Sequence, residues 1–253
     1  MQSLWFVVPA HGRVELARIC LRQLRRTCDA LTQNGVEATA VVVADDENLE
    51  TAKDLGFGWV RRDNRFVSRK FNDGIQLACD RKFNRRPADY VVPCGSDDWV
   101  DWRLFTDLPD NRTMVAFQRM SFVREDGLEL TVRHVNNEGG CGIRIYPRFL
   151  MQRAGYRPAD EDRLRACDTS ILMNVKQTGA LRRIEHRDID PLSIVDWKTS
   201  GVQLNSYAEV SSRHRAELER DPFDILAGRY PDDALDEMRG HYARRARTSL
   251  VIA

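Results

Sequence analysis

Short apolar runs, each cut off by polar or acidic residues, punctuate the first hundred positions of the chain. Residues 4–8 are continuously apolar and stop at Pro9, the pattern of a strand buried on both faces. Between residues 14 and 31, Leu16, Ile19, Cys20, Leu24 and Leu31 recur near helical spacing with arginines between them, and Asn34-Gly35 supplies a stop. Residues 38–44 form a second apolar run, ended by Asp45-Asp46-Glu47-Asn48. A short helix is predicted over 49–55 and a third strand over 58–60. A helix over 71–83, with Ile75, Leu77, Ala78 and Phe83 as core positions, leads to a fourth strand at 89–93. The order β-α-β-α-β-α-β predicts a largely parallel sheet with helices on both faces.

The pattern then changes. Residues 114–124, the turn Glu125-Asp126-Gly127 and residues 128–135 predict a β-hairpin. A polar loop, Asn136-Asn137-Glu138-Gly139-Gly140-Cys141-Gly142, precedes a strand at 143–146 and a short helix at 147–154. A helix at 168–176 and a strand at 181–185 follow. Residues 206–253 read as polar and helical, broken by Pro222 and Pro231.

Composition narrows the class. A chain of 253 residues can bury a sizeable core, and 42% hydrophobic with 30% charged residues is globular in character. No apolar stretch approaches the roughly 20 residues of a membrane span. The N-terminus lacks the basic and long apolar segments of a signal peptide, so a cytoplasmic location is expected. The six cysteines are dispersed with no C-x-x-C pair, which argues against zinc and for a reducing compartment. The formal charge, 39 − 38 = +1, argues against a chain dominated by nucleic-acid binding. Residues 61–86 nevertheless hold nine basic side chains against three acids. That segment is either a solvated face or a rim that attracts phosphate.

Candidate chemistry gathers where the strands end. In an open α/β sheet, ligands sit beyond the carboxyl ends of the strands. The first strand ends in Pro9-Ala10-His11-Gly12-Arg13 and the second in Asp45-Asp46-Glu47-Asn48. The third is followed by Arg69-Lys70-Phe71-Asn72-Asp73-Gly74, and the fourth by Gly95-Ser96-Asp97-Asp98. A Pro-Ala turn lets backbone approach a flat base, and a carboxylate after the second strand can accept hydrogen bonds from a base or ribose. Lys70 can contact a diphosphate, and Asp97 can ligate a divalent cation that bridges phosphates. Each acid alone is more often an ordinary cap or turn former; four such endings in order favour a nucleotide site. Trp99 and Trp102 flank it, as sugar-stacking faces or as core. His134 and His186 lack partners at ligand spacing and read as structural. Neither a P-loop nor a Gly-x-Ser-x-Gly elbow is present.

Together, Pro9-Ala10-His11-Gly12-Arg13, Ala44-Asp45-Asp46, Asn72-x-Gly74 and Gly95-Ser96-Asp97-Asp98 resemble the family 2 glycosyltransferases with the GT-A fold, over roughly residues 4–175. The resemblance implies an α/β, Rossmann-like, mostly parallel central sheet flanked by helices, with a β-hairpin and a helical C-terminal tail. It divides the chain into a catalytic domain over 1–205 and an extension over 206–253. Residues 1–113 would form the nucleotide-sugar half and 114–205 the acceptor half. It implies a nucleotide-sugar donor, usually a UDP-sugar, and a Mn²⁺ or Mg²⁺ ion. Pro9, Ala10, Arg13, Asp45, Lys70, Asn72 and Ser96 would line the donor, with Asp45 on the base or ribose. Asp97 stands at the last carboxylate of the family's Asp-x-Asp metal motif, Asp98 is the extra acid after it, and Gly95 replaces the first Asp. Asp168, in Cys167-Asp168-Thr169-Ser170, stands at the catalytic base of an inverting displacement, with Cys167 in place of the usual Glu.

Alternatives remain at several positions. Asp168 reads equally as a helix N-cap, and Asp160, Glu161 or Asp162 are rival bases. The glycines at 139, 140 and 142 shape an acceptor site or make a plain turn. Asp196-Trp197-Lys198 is expected in a loop closing over the donor. The acceptor is open among protein, modified nucleic acid, glycan and small molecule. A nucleotidyltransferase and a noncatalytic binding module of the same fold are the competing functions. The single glycine of Pro9-Ala10-His11-Gly12-Arg13 weighs against the former.

Overall fold

A computed structural model describes residues 1–45, 47–124, 127, 129–135, 140–164, 166–198, 217–218 and 221–252. Strands β1 (Gln2–Pro9), β2 (Val36–Ala44), β3 (Gly58–Arg61) and β4 (Tyr90–Pro93) run parallel, with β1 between β2 and β4. Beyond β4 the sheet continues through β9 (Arg144–Pro147), β6 (Thr113–Phe117) and β10 (Arg183–Arg187). Only β9, among these seven, runs against its neighbours. Alternation on the strands feeds two cores. Leu4, Phe6, Val8, Ala40 and Val42 face Leu21, Leu24 and Leu31 of α1 (Val14–Gln33). Val7, Val41 and Val43 face Phe71 and Ile75 of α3 (Val67–Cys79) and Ile171 of α5 (Cys167–Gln177). Gly74 lets α3 sit close to the sheet: a Cβ there would lie 2.5 Å from Val7 Cγ1 and 3.2 Å from Val43 Cγ2.

A second sheet stands beside the first, in the order β12 (Glu217–Leu218), β8 (Leu130–His134), β7 (Arg119–Val123), β11 (Ile194–Trp197) and β5 (Asp98–Val100). Its tryptophans open a third core, with Trp99 edge-on to Trp197 at 4.9 Å between centroids. Leu16, Ile19 and Cys20 of α1 close it from one side, and Phe223, Leu226, Tyr230, Leu235 and Met238 from the other. The latter five lie in or beside α6 (Pro222–Leu226) and α7 (Asp232–Ile252). Ion pairs stitch α7 to α1: Arg22–Glu237 at 2.6 Å, Arg26–Asp233 at 2.5 Å and Arg244–Glu15 at 2.5 Å. Short helices α2 (Asn48–Asp54) and α4 (Arg148–Arg153) fill the crossovers. Among the described residues, no helix is long and apolar enough to cross a membrane.

Several expectations need correction. The helix expected over 71–83 runs from Val67 to Cys79, and Phe83 is exposed rather than core. Asp80 ends it by turning extended and accepting the Lys82 amide at 2.9 Å. The single long strand expected over 114–124 is two strands in different sheets, β6 and β7, broken at Gln118. The hairpin proper pairs β7 with β8. Glu125 and Asp126 of the expected turn, Leu128 of the expected second strand, and residues 136–139 of the following loop lie outside the described residues, as does Asp46. The polar reading of the C-terminal segment missed the buried face formed by Phe223, Leu226, Ala234, Leu235 and Met238. Residues 206–216, 219–220 and 253 of that segment also lie outside the described residues.

Candidate metal and nucleotide site

The chain leaves β4 at Pro93, and the Cys94 amide still bonds Val7 O at 3.0 Å before the backbone turns through Gly95-Ser96-Asp97 into β5. There β5 pairs antiparallel with β11, and the register sets Asp98 directly opposite Asp196. Asp97 joins them, its carbonyl accepting the Trp197 amide at 2.9 Å. Asp97, Asp98 and Asp196 thereby offer carboxylate oxygens within 4.8 Å of one another. Like charges placed opposite on paired strands destabilise the pair unless something neutralises them.

Two cations of the chain do so in part. Arg13 Nη1 donates to Asp97 Oδ2 at 2.7 Å, and its Nη2 reaches Ser96 Oγ at 3.4 Å. Lys198 Nζ donates to Asp196 Oδ2 at 2.5 Å. Asp98 receives the Gly95 amide at 2.7 Å. Burial opposes the charge of Asp97, but Arg13 and Lys198 prevail and its pKa falls below the ordinary carboxylate value. Burial, then Asp196 and Asp97, push Asp98 well up. Burial, against the pull of Lys198, lifts Asp196 to about 6. Asp196 Oδ1 is buried with no hydrogen-bond partner. A compact all-oxygen set with surplus negative charge and an unmatched buried acceptor suits a hard divalent ion such as Mg²⁺ or Mn²⁺.

Gly95 takes on a physical role here. A Cβ at this position would lie 2.6 Å from Asp98 Oδ2 and 2.8 Å from Asp97 Oδ1. A side chain at this position would displace those two carboxylates, and Asp196 supplies a third carboxylate from another strand. Asp196-Trp197-Lys198 is therefore no loop over the donor: it is buried in and beside β11. Trp99 takes the core option, while Trp102 is partly buried against the first core. His134 and His186 are exposed and stand apart from the acidic set.

The remaining donor-side candidates form a second group. Pro9 ends β1, and the Ala10 amide bonds Val43 O at 3.0 Å. Lys70 is buried, its Nζ donating to Ala10 O at 2.5 Å and to Asn64 Oδ1. The Asn64 amide in turn donates to Asp45 Oδ1. Asn64, which no motif in the sequence singles out, so links Ala10, Lys70 and Asp45 across three strand ends. Asn72 does not join this group. Its side chain exchanges two 2.8 Å hydrogen bonds with the backbone of Ala159. The basic segment divides as well: Arg62 pairs with Asp73 and Arg69 with Asp162, whereas Arg81, Lys82, Arg85 and Arg86 lie exposed beyond α3.

Asp168 opens a third group. The N-cap of α5 is Ala166, at φ 53° and without a side-chain cap, so Asp168 is not the cap. Buried Arg144 on β9 instead grips it, Nη1 on the Asp168 carbonyl at 2.5 Å and Nη2 on Oδ2 at 3.3 Å. Gly142 lies against the same carboxylate, where a Cβ would stand 3.5 Å from Oδ2. Next to it, burial above all lifts the Cys141 thiol to about 12, and that thiol feels both Arg144 and Asp98. The rival acids are engaged elsewhere: Asp160 with Arg163 at 2.6 Å, Glu161 with Arg157 at 2.8 Å, Asp162 with Arg69 at 2.6 Å.

No protein-family model and no curated protein matches the chain. Solved structures do. A mutant of the Drosophila β-1,4-galactosyltransferase 7, in complex with manganese, UDP-Gal and xylobiose, superposes with a TM-score of 0.50 at 13% identity, over 93% of this chain and 84% of that one. Glucosyl-3-phosphoglycerate synthase from Mycobacterium tuberculosis, in complex with Mg²⁺ and UDP, gives 0.48 at 12% identity, over 91% and 81%. The first likeness shows the fold, which is GT-A-like.

Proposed function

We propose that the protein is a metal-dependent glycosyltransferase that moves a sugar from a nucleotide-sugar, a UDP-sugar in the first instance, to an acceptor hydroxyl. The observation that carries this is the triad Asp97, Asp98 and Asp196 at the carboxyl edge of a GT-A-like sheet. The galactosyltransferase of like fold is in complex with manganese and UDP-Gal. In this chain the triad would hold Mn²⁺ or Mg²⁺, which supplies Lewis-acid stabilisation of a departing diphosphate. Ala10, Asp45 and Lys70, tied together through Asn64, form the floor on which a nucleoside would lie.

Asp168 is the base. Its half-exposed carboxylate, held by Arg144, accepts the proton of the acceptor hydroxyl as that oxygen attacks the anomeric carbon. A single displacement of this kind inverts the anomeric centre. The absence of a side chain at Gly142 leaves room for an acceptor beside it.

A thermal-shift screen of nucleotides and sugar nucleotides, each with and without Mn²⁺, tests the reading. A metal-dependent shift with UDP or a UDP-sugar is expected; no shift with any nucleotide would overturn it. Internal neutralisation by Arg13 and Lys198 favours a second reading, a binding module without turnover. Metal-dependent hydrolysis of the shifting donor decides between the two.

A further inference from the structure

We infer that Arg13 is an exchangeable counter-ion: it occupies Asp97 when the divalent cation is absent and transfers its guanidinium to the donor's diphosphate when the cation binds. The inference rests on the metal-site reading above. Three carboxylates face two cations of the chain, Arg13 on Asp97 at 2.7 Å and Lys198 on Asp196 at 2.5 Å. With all three carboxylates ionised, as metal ligation requires, a divalent ion added with both cations in place would leave an excess of one positive charge. Ligand binding that brings no anion then favours release of one of the two cations.

The structure distinguishes them. Lys198 is fixed on every side: it follows β11 directly, its amide bonds Val123 O at 3.0 Å, and its carbonyl receives the Tyr242 hydroxyl at 2.7 Å. Its Nζ lies over the Phe122 ring at 5.4 Å. Arg13 stands instead in the connection between β1 and α1, where Gly12 and Arg13 are consecutively left-handed, at φ 56° and 43°. A non-glycine residue held there stores backbone strain, and such residues concentrate at sites that switch or bind. Besides its bond to Asp97, the guanidinium makes a longer contact of 3.4 Å to Ser96 Oγ. Its planar fork matches a phosphate as well as a carboxylate, which a lysine ammonium does not. The sheet edge at which it lies is the one where a diphosphate would arrive.

Exchange of this kind has a signature of opposite signs. Removing Arg13 takes away the competitor for Asp97 and also a ligand of the diphosphate. Isothermal titration of the full chain with Mn²⁺ alone, and then with UDP at saturating Mn²⁺, reads both. Arg13→Gln is expected to tighten Mn²⁺ by about fivefold or more and to weaken UDP by at least as much, the scale of ordinary coupling between sites. Arg13→Lys, which keeps the charge but not the fork, should leave Mn²⁺ near the wild-type value and still weaken UDP. Unchanged or weaker Mn²⁺ binding in Arg13→Gln, with circular dichroism showing an intact fold, would overturn the exchange. If the wild-type protein itself binds no Mn²⁺, and Asp97→Asn changes nothing, the metal site fails first. Should Arg13→Gln not fold, Arg13→Lys carries the test: UDP binding as tight as in the wild type would overturn the transfer of the guanidinium to the diphosphate.

Discussion

At the scale of single residues, the acidic triad makes the sharpest demands. Asp97→Asn or Asp196→Asn removes one of three charges, so both the Mn²⁺-induced thermal shift and metal-dependent turnover should disappear while the far-ultraviolet spectrum stays native. The pH dependence follows from Asp196, lifted to about 6 against an ordinary 3.8. Between those values the folded protein holds a proton that the unfolded chain has lost, so metal-free stability falls as pH rises through this window. A metal ligand must be deprotonated, so the Mn²⁺ shift should be full near pH 8 and largely gone at pH 5. Gly95→Asp gives a counterintuitive test. It supplies the acid of the family 2 motif that the chain resembles, yet its Cβ meets Asp98 and Asp97 at 2.6 and 2.8 Å. A lower melting temperature and weaker Mn²⁺ binding are expected. Asp168→Asn should cut turnover by orders of magnitude and leave the UDP–Mn²⁺ thermal shift intact. If only stability changes, the residue does no more than pair with Arg144.

At the scale of elements, the first half of the chain was legible because its strands are buried on both faces and stop at unmistakable polar residues. β1, α1, β2, β3 and β4 lie where their apolar runs lie. The later elements were harder to read for identifiable reasons. The apolar run from Met114 to Val123 crosses from one sheet into the other without a polar break that differs from an ordinary alternation. Asp196 was invisible as a member of the acidic set because its partners are 98 and 99 positions away and its place is set by the register of β5 on β11. Conversely, Asn72 carries the family pattern but serves packing, fixing the backbone at Ala159. Gly74 of the same motif has a related purpose. Gly74→Ala should push α3 off the sheet at a cost of about 1–3 kcal/mol, read as a drop in denaturation midpoint.

At the scale of the whole molecule, the C-terminal helices are structural partners of the site. Phe223, Leu226, Tyr230, Leu235 and Met238 cover the tryptophans that neighbour Asp98 and Asp196 on their strands. Burial of such side chains contributes about 1.5–3 kcal/mol each. Their sum is comparable to the roughly 5–15 kcal/mol that holds an average domain together. A chain ending at residue 220 should therefore lose cooperative unfolding and its Mn²⁺ response together, as circular dichroism and thermal shift would show.

This arrangement also orders events during synthesis. The residues of the acidic triad are complete when position 196 is made, but the support behind them arrives only with positions 223–242. A ribosome adds about 5–20 residues per second, and a further stretch of chain is hidden in its exit tunnel. The half-made protein can thus pair β1 to β4 early while the acidic triad is still incomplete. The order of synthesis presents the three carboxylates in a growing chain that still lacks the apolar cover behind their strands.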